Sequence, residues 1–122
     1  MNEYCTGEFA ATLLNAATTA HFMHLSSKSY AQHMALGSFY ADLPDLVDAV
    51  VEQCQGKHGL VSGFPDQETA GGDGTPVAFL EWLNKYVEEE RKNMPQDSEI
   101  QNSIDDIATL IDSTLYKLKF LS

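Results

Sequence analysis

The sequence predicts an all-α fold, a four-helix bundle with a long glycine-rich connection between its second and third helices. Three observations predict it. Apolar residues recur at three- and four-residue spacing in four separate stretches, no stretch alternates apolar and polar as a strand would, and capping or breaking residues fall at the joints. At 122 residues the chain is read as one domain, 1–122, long enough to bury a core without disulfides.

The first helix is expected from Glu8 to His24. Phe9, Leu13, Ala16, Ala17 and Ala20 step along one face, and His24 continues the stripe. Ser26 and Ser27 interrupt it. Ser29 then caps a second helix running to about Gln55, with Gly56 as its C-cap. This helix presents Tyr30, Met34, Phe39, Leu43, Leu46, Val47, Val50 and Val51. Pro44 removes one hydrogen bond and crowds the carbonyl of Tyr40. The apolar period runs through it, so one kinked helix is expected.

Residues 56–75 read as the glycine-rich connection. Thr75 followed by Pro76 is an N-cap with proline at the first helical position. The third helix carries Phe79, Leu80, Leu83, Tyr86 and Val87 and ends near Asn93, before Pro95. Asp97 or Ser98 caps the fourth. Its Ile100, Ile104, Ile107, Ile111, Leu115 and Leu118 form the clearest amphipathic pattern in the chain. Lys117 and Lys119 lie in the last turn, where cations favour the helix dipole.

The formal net charge of −11 argues against non-specific nucleic-acid binding, because phosphates repel such a chain. No apolar run approaches the length of a membrane span, and the start has no signal-peptide pattern. Cys5 and Cys54 form no paired motif. They are expected as free thiols in a reduced, cytoplasmic chain.

Chemistry is suggested by the spacing of histidines and carboxylates. Asp48 and Glu52, four apart, share a helix face. His33 precedes Asp48 by fifteen residues, which leaves it on about the same side but about 22 Å away. One ion cannot touch both ends. If this helix packs antiparallel on its own copy, with the two-fold axis near Ala41 and Asp42, His33 of one chain meets Asp48 and Glu52 of the other. His21 can lie beside His33 across the turn. Such mixed imidazole and carboxylate sets suit iron, with zinc and manganese as alternatives.

The spacing at His21, His33, Asp48 and Glu52 resembles the ferroxidase centre of the Dps-like mini-ferritins. That resemblance implies a ferritin-like four-helix bundle and a homo-oligomer built on a two-fold dimer, in the family a dodecamer. It further implies an inter-subunit iron site and oxidation of Fe(II). Gly37 stands where the mini-ferritins carry an acidic residue. No lysine-rich tail is present, so DNA protection is not implied. The phrases HFMHLSSKSYAQH, VDAVVEQCQGKHG and IDSTLYKLKFL resemble, more closely in texture, a family of small tailed-bacteriophage proteins. That likeness implies a viral origin and brings no activity.

Other residues are read as ordinary. His24 is expected at the core edge, His58 in solvent, and Tyr30, Tyr40 and Trp82 in the core. Asp105, Asp106 and Asp112 form a solvated face. GGDGT at 71–75 is a chance match to a kinase fragment. Two functions follow as expectations. One is a mini-ferritin with ferroxidase chemistry. The other is a non-enzymatic, phage-encoded assembly or interaction protein, as a virion component or a modulator of the host.

Overall fold

The computed structural model describes residues 5–66 and 74–122. They contain four α-helices: α1 (Gly7–Ser26), α2 (Tyr30–His58), α3 (Pro76–Glu90) and α4 (Ser98–Phe120). A short 3-10 turn, Arg91–Asn93, extends α3. Among the described residues there is no strand. Part of the glycine-rich connection, and most of the GGDGT phrase, lies outside them.

Three of the four helices begin where a hydroxyl can satisfy a free backbone N–H. Thr6 Oγ1 accepts from Phe9 N at 3.4 Å, Ser29 Oγ from Gln32 N at 3.3 Å, and Thr75 Oγ1 from Ala78 N at 3.1 Å. Asp97 occupies the N-cap position of α4 but makes no capping bond there. Its carboxylate is engaged elsewhere, as described below.

α2 packs between α1 and α4, and α3 packs on α4 and more lightly on α1. The core is the sum of the apolar stripes. Phe9, Leu13, Ala16, Ala17 and Ala20 meet Leu36, Phe39, Leu43, Val47 and Val50, and the ring closes with Phe79, Leu80, Leu83 and the α4 isoleucines. Full burial of each of the Val, Leu, Ile and Phe side chains among them is worth about 1.5–3 kcal/mol. α2 runs unbroken through Pro44, because Leu43 and Val47 on either side are both fully buried.

Four expectations need correction. Gly56 does not end α2; the helix continues to His58, and Gly59, at φ 96°, is the cap. The extra turn is held from outside, since Lys57 and His58 both reach Asp97 at the start of α4. Cys5 and Cys54 are not free but joined as a disulfide, with Cα atoms 5.8 Å apart. The antiparallel packing of α1 on α2 brings them together, which spacing along the chain could not reveal. Tyr30 and Met34 are not core residues: they are 77% and 50% exposed, and Ala35 and Leu36 are buried in their place. His58 is not solvated, as its contact with Asp97 shows.

Candidate functional site

The histidines meet where α1 turns into α2. Serine-rich residues 26–29 reverse the chain, so the end of α1 lies against the start of α2. His24 and His33 stack with ring centroids 3.7 Å apart. Each also donates to the other's backbone. His24 Nδ1–H donates to the His33 carbonyl at 2.6 Å, and His33 Nδ1–H donates to the His24 carbonyl at 3.0 Å. The carbonyl partners assign the proton to Nδ1 in both rings and leave Nε2 as the acceptor.

His21, exposed, stacks on Tyr40 at 3.8 Å. Tyr40 is half-buried against the core, as is Trp82, rather than fully within it. Gly37 has a steric role. A Cβ there would stand 3.0 Å from His24 Cε1 and 3.1 Å from Nδ1. The absence of a side chain at 37 lets the His24 ring sit a few tenths of an ångström closer to α2 than a Cβ would allow.

Asp48 and Glu52 lie exposed on α2, about 22 Å and about 28 Å along the helix from His33. The four residues of the mini-ferritin pattern therefore fall into two groups within one chain. Among the described residues, no three of His, Cys, Asp and Glu are placed to hold a metal ion together. The single chain does not fit an ion at these positions.

A second polar cluster, unforeseen in the sequence, closes the opposite end. Asp97 accepts from Lys57 Nζ at 2.7 Å and from His58 Nε2 at 2.8 Å. The bonds from Lys57 and His58 draw the Asp97 carboxyl down to about 2. Lys57 is raised in turn, chiefly by its hydrogen bond to Asp97. Of the acidic residues on α4, Asp105 accepts from Arg91 at 2.6 Å and Asp112 from Asn84 at 2.7 Å. This face serves to fasten α3 to α4.

The histidine end has another property. Segments 9–41 and 113–122, which contribute to it, hold none of the 18 acidic residues, although Glu81 of α3 reaches Lys119 at 3.0 Å beside Phe120. Large apolar side chains are exposed there instead. Phe22 is 64% exposed, Leu25 65% and Phe120 73%, and Tyr30, Met34 and Leu121 join them. Ala31, Met34, Ala35 and Ser38 of α2 and Lys117 and Leu121 beyond them line a groove of about 290 Å³. The signal was present in the sequence as a gap in acidic residues between Glu8 and Asp42.

A family model described as "Family of unknown function (DUF5856)" matches residues 24–118. The chain belongs to the DUF5856 family. This DUF5856 chain is also similar to an uncharacterized 14.6 kDa protein of the mobD-ri intergenic region of Enterobacteria phage T4. The two are 29% identical over 116 residues, covering 91% of this chain and 85% of the relative. No solved structure matches. The matched region holds most of the three phrases that carry the phage-protein resemblance, and it is that resemblance the matches support. No helix among the described residues of the DUF5856 chain is long and apolar enough to cross a membrane.

Proposed function

We propose that this DUF5856 protein is a non-catalytic, phage-encoded interaction protein that binds through the apolar side chains exposed at the histidine end of its helices. The observation that supports this reading is the coincidence of exposed Phe22, Leu25, Tyr30, Met34, Phe120 and Leu121 with the segments that lack Asp and Glu. Large apolar side chains exposed away from the acidic segments are candidates for interaction surfaces in an otherwise charged protein. A photo-crosslinking residue at Phe120, compared with one at exposed Glu89, tests it in phage-infected cells. One defined adduct from position 120 and none from 89 is expected. Equal or absent labelling at both positions removes the reading.

A second reading keeps an iron ion between two copies, held by His21 and His33 of one and by Asp48 and Glu52 of the other. Its support is that neither Nε2 of His33 nor either nitrogen of His21 is engaged in a hydrogen bond among the described residues. Zinc and manganese fit the same donors. Anaerobic Fe(II) titration with a His33→Ala control tests it. One or two ions per chain, lost in the variant, favour it over the first reading; no binding above the variant's level ends it.

A further inference from the structure

α1 is uncharged, histidines aside, from Phe9 to Ser27. A helix apolar on more than one side is normally covered on more than one side. α1 is covered on one: its core face meets α2 and, lightly, α3. On the opposite face Leu14 is 40% exposed, Phe22 64% and Leu25 65%, with Thr18 exposed between them. At 100° per residue, 11, 14, 18, 22 and 25 fall within about 80° of arc.

The order along this face is symmetric about Thr18. Leu14 and Phe22 lie four residues on either side of it, and Ala11 and Leu25 lie seven. Laid antiparallel on a second copy, Leu14 meets Phe22, the small Ala11 receives Leu25, and Thr18 meets Thr18 on the axis. A two-fold contact requires such self-complementarity. Charge points to the same occupant. Two copies of a −11 chain repel wherever carboxylates face each other, and α1 presents none along this stripe. The exposed face of α2, by contrast, carries Asp42, Asp45, Asp48 and Glu52, and antiparallel self-packing about Ala41 and Asp42 sets Asp42 against its own copy near the axis.

We infer that the protein forms a two-fold dimer through the outer face of α1, with Thr18 on the axis. This deepens the interaction reading and rests on it: part of the exposed apolar surface is taken by a second copy, while Phe120 and Leu121 stay available to other partners.

The test is sedimentation of the full chain and of the Thr18→Glu and Thr18→Lys variants, alone and mixed. The wild type is expected as a dimer. Each variant alone should dimerise at least about 100-fold more weakly, because its two copies meet like charge to like charge on the axis. The mixture should regain a 1:1 heterodimer, which an interface elsewhere does not produce. Circular dichroism checks that both variants keep wild-type helix content; should one unfold, Phe22→Glu replaces it. A monomeric wild type at about 100 µM, a concentration that fills a micromolar dimer, overturns the inference. So does a dimer that survives both substitutions. A monomer that still crosslinks from position 120 ends the dimer and leaves the interaction reading standing; loss of the crosslink with the dimer intact does the reverse.

Discussion

Gly37→Ala tests whether the histidine corner is packed as described. Replacing glycine by alanine inside a helix ordinarily stabilises by about 1 kcal/mol. Here the new Cβ would stand 3.0 Å from His24 Cε1, where a relaxed carbon contact needs about 3.5 Å or more. The ring must retreat by about half an ångström. It is held on one side by its 2.6 Å bond to the His33 carbonyl and on the other by the His33 ring at 3.7 Å. Weakening one hydrogen bond and one ring contact costs about 1 kcal/mol together. The propensity gain and the packing loss therefore nearly cancel, and Gly37→Ala in the wild type should change stability little. In a His24→Ala background the obstruction is gone, and the same substitution should stabilise by the full amount. Urea unfolding of the four proteins gives the coupling, expected at about 1 kcal/mol. If alanine at 37 stabilises both backgrounds equally, His24 does not occupy the space that Gly37 leaves.

Three further outcomes follow from the structure. Asp97 is drawn down to about 2, below its unfolded value near 4. Its contribution to stability is complete above about pH 4 and is lost as the pH falls toward 2; Asp97→Asn should flatten that limb of an acid unfolding curve, and an unchanged limb would contradict the assignment. Gly7 sits against the backbone carbonyl of Gly63 with no room for a Cβ. Gly7→Ala should therefore destabilise by about 1–3 kcal/mol, despite better helix propensity, as thermal unfolding will show. The Cys5–Cys54 disulfide closes a loop of 49 residues, worth about 4 kcal/mol by the chain-entropy estimate; thiol titration of the native protein should find no free cysteine, and a reductant should lower the melting temperature.

Much of the helical framework was legible in the chain. Ser29, Thr75 and Pro76 mark helix starts because a hydroxyl satisfies N–H groups that no carbonyl can reach, and that chemistry is local. The stripes of α1 and α4 identify their buried faces because the helical period is local too. At the candidate site, the sequence supplied the residues but not their partners. His21 and His33 were placed by the resemblance near ligands of a second chain; within one chain the fold sets His33 on His24 and His21 on Tyr40.

The amino-acid order by itself determined which segments are helical, which residues begin them and where the negative charge is absent. Tertiary structure alone decided the rest. α2 extends past Gly56 because Asp97, 39 residues from His58, waits at the start of α4. Cys5 reaches Cys54, 49 residues away, because α1 folds back along α2. Tyr30 and Met34 stay exposed because helical period says which way a side chain points, whereas the reach of the neighbouring helix decides whether anything covers it. Local conformational energies act over a few residues, but burial and pairing depend on groups that only folding brings within contact distance.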